Sequence, residues 1–187
     1  MAHHNTQMIE TRVTFITLML REDHQKIRQL FEQIDNTTMT TKREIVRETL
    51  TVLEVHTKLK QELIYPAWSE HVHEKGLDLM DEARETLHVI HALIKALKNM
   101  TPEDERYESM CTVLKSQVLH HLNEEEVKMF PLVEQTDLDW ERLAKHVIQR
   151  RQSLEQKPLW LLGVPVSVGA RKTVGATRAV LPGRSGV

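Results

Sequence analysis

The sequence predicts an all-α protein, an up-down-up-down four-helix bundle with a short fifth helix and a disordered C-terminal tail. Apolar residues recur every three or four positions along four segments of similar length, which is the spacing of one helical face. The connections between those segments are short, which favours antiparallel neighbours in a bundle. Aromatic residues make up only 4% of a chain that is 28% charged, and this balance suits helices better than a β-sandwich.

The first two helices are predicted at residues 11–35 and 42–64, and each has a histidine in its apolar stripe. The first stripe consists of Leu20, His24, Ile27, Phe31 and Ile34. The second consists of Ile45, Thr49, Val52, His56, Leu59 and Leu63. Tyr65-Pro66 is expected to end the second helix, because proline disfavours helical geometry in the residue before it.

The third and fourth helices are predicted at residues 77–99 and 102–129. The third stripe consists of Met80, Ala83, Leu87, Ile90, Ile94 and Leu97. Thr101 suits the N-cap of the fourth helix and Pro102 suits its first position. The fourth stripe consists of Cys111, Leu114, Val118, His121 and Glu125. A shorter fifth helix is predicted at about residues 138–156 from its apolar periodicity.

The composition excludes several classes of protein. The single cysteine, Cys111, excludes an internal disulfide framework and favours a reducing compartment, so a cytoplasmic location is expected. The first residues have no basic segment followed by an apolar one, so no secretory signal is expected, and no apolar run is long enough to span a membrane. The net charge of −2, without a phosphate loop, a nucleophile triad or a nucleic-acid motif, gives no reason to expect nucleic-acid binding.

Composition also divides the chain into a flexible N-terminus at residues 1–11, a helical domain at residues 12–156 and a tail at residues 157–187. The tail holds five of the six glycines and three of the six prolines, with five basic and no acidic residues. Such a composition predicts disorder. Binding of the tail to an acidic partner, nucleic acid or anionic lipid stays open as an alternative.

One motif occurs twice, with a histidine ten residues before a proline that follows an aromatic residue. The copies are His56…Tyr65-Pro66 and His121…Phe130-Pro131. In the second copy, Glu125 follows His121 by four residues, so both side chains lie on one helical face. In the first copy, Lys60 stands at the position that matches Glu125.

Three histidines in core stripes, one of them paired with a carboxylate, predict a metal centre. A single histidine on an apolar face is usually a satisfied core residue. Burying His24, His56, His121 and Glu125 together is costly unless they bond to each other or to a cation. Imidazoles and carboxylates that project into a four-helix bundle are typical ligands of a di-iron or di-manganese centre. Glu124 and Glu126 instead fit a solvated helix face.

Over roughly residues 12–156 the sequence resembles the hemerythrin-like cation-binding domain family, the HHE family. The matching residues are Asp23-His24 with Ile27, Leu30 and Phe31, then His56…Tyr65-Pro66, then His120-His121…Glu124-Glu125-Glu126…Phe130-Pro131. The resemblance implies a four-helix bundle with a non-haem, usually di-iron, centre. It implies roles in oxygen binding, iron or oxygen sensing, nitric oxide response or iron–sulfur cluster repair. The metal ligands that it implies are His24, His56, His121 and Glu125.

Two residues depart from the family pattern. The family has a bridging glutamate four residues after the second-helix histidine, where this sequence has Lys60. The family also has a histidine on the third helix, and alignment of the apolar residues of the first and third helices puts Leu87 at that position. His91 lies one turn after Leu87 and is a candidate for a displaced ligand, although a flank position is the simpler interpretation. His88 points about 100° away from Leu87.

These departures lead to two main functional hypotheses. The first is hemerythrin-like binding of iron or another transition metal at a depleted site that holds one ion, because a lysine ammonium repels cations. Its role would be binding or sensing of oxygen, nitric oxide or iron rather than turnover. The alternative is a metal-free structural or interaction bundle in which Lys60 pairs with Glu125. A ferritin-like or nitric-oxide-handling redox enzyme needs a full di-metal centre, which Lys60 and Leu87 disfavour.

Overall fold

A computed structural model of the chain describes residues 14–156, so the predicted flexible N-terminus and basic tail lie outside the described residues. Five main helices form the described part. They are α1 (Phe15–Asp35), α2 (Met39–Leu59), α3 (Glu74–Lys98), α4 (Tyr107–Glu124) and α5 (Trp140–Glu155). Within residues 14–156 there is no β-strand, which confirms the all-α prediction.

Helices α1 to α4 form a ring in which each helix contacts the next and α4 contacts α1. Asp23 of α1 contacts His56, late in α2. Lys26, further along α1, contacts Glu48, which is earlier in α2. The pairs between α2 and α3 and between α1 and α4 have the same reversed order. The helices therefore alternate in direction, as the predicted up-down-up-down bundle requires, and one stripe of each faces the interior.

Helix α4 begins at Tyr107, five residues later than predicted, and the N-cap role predicted for Thr101 is wrong. Residues 101–106 form two successive turns, closed by hydrogen bonds from the Asp104 amide to the Thr101 carbonyl and from the Tyr107 amide to the Asp104 carbonyl. The Asp104 carboxylate also accepts a hydrogen bond from the Arg106 amide at 2.9 Å. A side chain that bonds the nearby backbone in this way competes with helix formation, so the helix starts only after it.

Helices α2 and α4 continue through Pro66 and Pro131, where the sequence predicted that they end. Each passes through a π-helical turn, Lys60–Ile64 or Glu125–Met129, into a short α-helical extension, Tyr65–Ser69 or Phe130–Val133. The proline then occupies one of the first positions of the extension, which is where proline is best tolerated in a helix. π-Helical turns are frequent at functional sites. Here they begin at Lys60 and Glu125, which occupy matching positions in the two copies of the repeated motif.

Helix α5 packs against α1 and α2. Asp139 caps its N-terminus by accepting a hydrogen bond from the Arg142 amide at 3.0 Å. Its buried residues are Leu143, Val147 and Leu154. The predicted fifth helix is therefore confirmed as an addition outside the ring of four. Among the described residues, no helix combines the length and the hydropathy that a membrane crossing requires.

Candidate metal centre

A layer of polar side chains crosses the interior of the bundle at the level of the two π-helical turns. It contains His24 from α1, His56, Lys60 and Tyr65 from α2 and its continuation, and His121 and Glu125 from α4 and its continuation. All six side chains are buried. Six buried polar side chains need hydrogen-bond or ionic partners inside the protein, because they are removed from water.

Glu125 lies at the centre of this layer, and both of its carboxylate oxygens accept hydrogen bonds. Oε1 accepts one from the Tyr65 hydroxyl at 2.5 Å, and Oε2 accepts one from the Lys60 ammonium at 2.8 Å. Burial alone would raise the pKa of Glu125, but the adjacent Lys60 ammonium holds it well below its usual value. Glu125 is therefore a carboxylate anion, and the predicted buried pair with Lys60 is confirmed.

The Lys60 ammonium also donates a hydrogen bond to His121 Nε2, over 2.9 Å. Burial, together with the nearby Lys60 charge, lowers the pKa of His121 to about 3, so its ring is neutral and can accept this bond. Burial lowers the pKa of Lys60 as well, and Glu125 offsets part of that effect. The electron pair of His121 Nε2 is thus engaged by Lys60, and the role of His121 as a metal ligand stays a prediction.

His24 and His56 are each held by a carboxylate on a neighbouring helix. His24 Nδ1 donates to Glu126 Oε1 over 2.7 Å, and Arg28 donates to the same oxygen over 2.8 Å. His56 Nδ1 donates to Asp23 Oδ2 over 3.1 Å. An ionised carboxylate can only accept, so Nδ1 of each histidine carries a proton, and a neutral ring then has its electron pair on Nε2. Burial, reinforced by the nearby positive charge of Lys60, lowers the pKa of His56 to about 4, so its ring is neutral near pH 7.

The two Nε2 atoms are buried and have no hydrogen-bond partner within residues 14–156. His24 Nε2 lies 3.3 Å from Glu125 Oε2, but the contact lacks the geometry of a hydrogen bond. Ligand atoms of His24, His56 and Glu125 all lie within 4.8 Å of one another. Two imidazole nitrogens without hydrogen-bond partners in residues 14–156, close to a carboxylate, suit a cation. The carboxylates on the two Nδ1 atoms match the usual surroundings of metal-binding histidines.

Residues 16–133 match the family model of the hemerythrin HHE cation-binding domain. The chain belongs to this family. The search of solved structures found a hemerythrin HHE cation-binding domain-containing protein from Mycobacterium kansasii, with a TM-score of 0.59 and 23% sequence identity. That alignment covers 73% of this chain and 86% of the other, and at this identity it supports the fold alone. No match was found among curated proteins.

Aromatic side chains close one side of the group formed by His24, His56 and Glu125. The Phe130 ring stacks on His24 with centroids 5.6 Å apart. The Trp68 ring meets Phe130 edge-on at 5.9 Å and lies at the same distance from Tyr65. These three aromatic residues are fully buried, so water is excluded from this side of the polar layer. The aromatic residue before each proline of the repeated motif is therefore a wall of the site.

The third helix contributes no histidine to the group formed by His24, His56 and Glu125. Leu87 is fully buried, so the predicted inward position of α3 is apolar in this HHE domain. His88 is exposed. His91 is half-buried and lies 2.7 Å from the Thr57 hydroxyl, which fits a flank residue.

Sequence reasoning missed the residues that hold the histidines. Glu126 was assigned to a solvated face, yet its side chain is only 22% exposed and accepts a hydrogen bond from His24 Nδ1. Asp23, Arg28 and Arg151 had no predicted role. Asp23 and Glu126 each neighbour a residue that faces the core, and a helix turns by about 100° per residue. A carboxylate in that position reaches the next helix. An acidic residue directly beside a core-facing residue was therefore the sequence signal for these contacts.

Tyr65→Phe tests the hydrogen bond to Glu125. We expect the free energy of unfolding to fall by about 1.5–3 kcal/mol, the usual effect for a hydrogen bond to a charged group, because Oε1 of Glu125 loses its donor. Urea unfolding followed by circular dichroism measures the change. Tyr107→Phe is the matched control, since Tyr107 is buried as well but is not part of the polar layer. Equal losses in the two variants would show that the hydrogen bond contributes nothing beyond packing.

Proposed function

We propose that this HHE domain binds one transition-metal ion, iron, through His24, His56 and Glu125, and that its role is binding or sensing rather than turnover. The observation that carries the proposal is the pair of buried Nε2 atoms, of His24 and His56, that have no hydrogen-bond partner among the described residues. Leaving two such atoms unsatisfied in a protein interior is costly. A cation between them and Glu125 would remove that cost.

The charge of Lys60 supports one ion rather than two. The ammonium lies 2.8 Å from Glu125 Oε2 and 2.9 Å from His121 Nε2. It therefore already engages two atoms that a second ion would need as ligands. Two divalent ions beside a buried ammonium would repel it strongly. If the Lys60 side chain releases His121, that histidine becomes the fourth ligand, which gives the full predicted set of His24, His56, His121 and Glu125.

The donor set suits borderline transition metals. Two imidazoles and one carboxylate are the protein ligands of many non-haem ferrous sites, and they also bind Zn(II) and Mn(II). A ferrous ion with three protein ligands would retain coordination positions for a diatomic ligand such as oxygen or nitric oxide. The chain's own contribution is to orient both rings through Asp23 and Glu126 and to exclude water by the aromatic wall.

His56→Gln tests the proposal. Protein purified after growth with iron is expected to hold about one iron per chain, and His56→Gln is expected to lose most of it because one of three ligands is gone. His91→Gln is the control, since His91 is half-buried and lies outside the ligand group. Metal analysis and the visible spectrum give the result. About two irons per chain with oxo-bridge bands would contradict the effect assigned to Lys60.

A metal-free structural or interaction bundle is the second candidate, and the Lys60–Glu125 pair favours it. Both oxygens of Glu125 already have donors, and the Lys60 charge is already compensated. The two functions differ in their response to added metal. An ion that binds the folded state raises the unfolding temperature. No stabilisation by Fe(II), Zn(II) or Mn(II) would leave only the metal-free function.

A further inference from the structure

We infer that Arg151 of α5 is a positioning residue of the metal site, so that the fifth helix completes a centre whose ligands all come from the bundle of four. The inference rests on the proposed function. Arg151 lies beyond residues 16–133, which match the family model. The orientation of a ligand in the family domain would thus depend on a helix outside the matched region.

A continuous chain of hydrogen bonds connects α5 to the site. Arg151 donates from Nη1 to Asp23 Oδ1 over 2.9 Å and from Nη2 to Asp23 Oδ2 over 2.5 Å. Asp23 Oδ2 in turn accepts the Nδ1 proton of His56 at 3.1 Å. The exposed fraction of the side chains falls along this chain, from 23% for Arg151 to 13% for Asp23 and 1% for His56.

The bidentate pairing fixes the plane of the Asp23 carboxylate. An arginine that binds both oxygens of a carboxylate leaves it little freedom to rotate. Because Asp23 holds the proton on Nδ1 of His56, its orientation also decides where the Nε2 electron pair points. The guanidinium of Arg151 is always charged, so the bidentate pairing compensates the charge of the Asp23 carboxylate.

His24 has an equivalent arrangement within the bundle. Its Nδ1 proton is accepted by Glu126, and Arg28 donates to the same Glu126 oxygen. Each metal-facing histidine therefore has one carboxylate and one arginine behind it. The two arrangements differ in origin, because Arg28 comes from α1 and Arg151 from α5.

The neighbouring Arg150 provides a matched control. It donates from Nε and Nη2 to the two oxygens of Glu62 over 2.6 and 3.0 Å, so it also ties α5 to the helix that carries His56. The Glu62 side chain is 40% exposed. Arg150→Met removes an anchor of the same type and leaves the pairing of Arg151 with Asp23 in place.

The test compares Arg151→Met, Arg151→Lys and Arg150→Met in the full chain, with two measurements. The first is Co(II) affinity from the visible spectrum. Arg151→Met is expected to weaken it about tenfold, the lower end of the effect typical of the groups that orient metal ligands. The second is nitrogen NMR of the His56 ring in metal-free protein near neutral pH. The wild type is expected to show only the tautomer with the proton on Nδ1, and Arg151→Met is expected to show a mixture of the Nδ1 and Nε2 tautomers.

Arg150→Met is expected to leave both measurements unchanged. Arg151→Lys, which keeps the charge but not the bidentate geometry, is expected to give intermediate values. A folded Arg151→Met with wild-type affinity and the proton still on Nδ1 would overturn the inference, as would equal losses in Arg150→Met. If Arg151→Met does not fold, Arg151→Lys decides by the same measurements. If the wild type binds no Co(II), the proposed function fails, while the NMR comparison still decides whether Arg151 orients His56.

Discussion

Lys60→Met is expected to lower the free energy of unfolding of the metal-free protein by about 3–5 kcal/mol, the range found when one partner of a buried ion pair is removed. The variant keeps a side chain of similar volume but leaves the Glu125 carboxylate buried without a positive partner. Urea unfolding followed by circular dichroism measures the loss. A divalent metal should restore part of it, because the cation would replace the missing ammonium beside Glu125.

Two further variants separate this effect from packing. Lys58→Met changes a partly exposed lysine of the same helix and is expected to alter stability by no more than about 0.5 kcal/mol. Lys60→Met combined with Glu125→Gln removes both charges and should regain most of the stability, without any rescue by metal. If Lys60→Met were as stable as the wild type, the Lys60 ammonium would not be what compensates Glu125.

The combined change Lys60→Glu and Leu87→His is expected to convert the site into one that binds two metal ions. Lys60→Glu replaces the ammonium with the bridging carboxylate of the family, and Leu87→His supplies an imidazole from the buried position of α3. The metal-free variant should be less stable than the wild type, since two carboxylates would share the interior. Metal at about 100 times its dissociation constant should stabilise it by about 2.7 kcal/mol for each bound ion.

The matched control for this conversion is Lys60→Gln with Leu87→His. Glutamine is uncharged and cannot supply the anionic bridge, so this variant is expected to hold a single ion. Metal analysis of the two folded proteins under the same loading conditions compares them directly. If the glutamate variant folds and still holds one ion or none, the positions assigned to Lys60 and Leu87 are wrong.

The bundle could be predicted because its cause is local. The stripes of α1 to α4 recur at helical spacing, and burying them forces the helices together. The ends of α2 and α4 could not be predicted, because local preference favours a stop before Pro66 and Pro131. Tertiary packing decides otherwise, since buried Tyr65, Trp68 and Phe130 lie just after the π-helical turns and gain contacts only if the helix continues.

The buried residues of the candidate site were partly predictable for a similar reason. Register along each stripe places His24, His56 and Glu125 inward, and the repeated motif places Lys60 opposite Glu125. The sequence of one helix does not determine its distance from the other helices. The engagement of His121 by Lys60, and the reach of Arg151 to Asp23, depend on how five helices pack, so they appear only in the structure.

The π-helical turns also change what the aromatic-proline pairs mean. In a regular α-helix, residues five apart point about 140° away from each other, so Tyr65 would face away from Lys60. A π-helical turn absorbs one extra residue, so Tyr65 takes the angular place that Ile64 would otherwise have and its hydroxyl reaches Glu125. The same phase shift after Glu125 brings Phe130 onto His24. Deleting one residue from either turn would restore α-helical phase and rotate an aromatic residue out of the site.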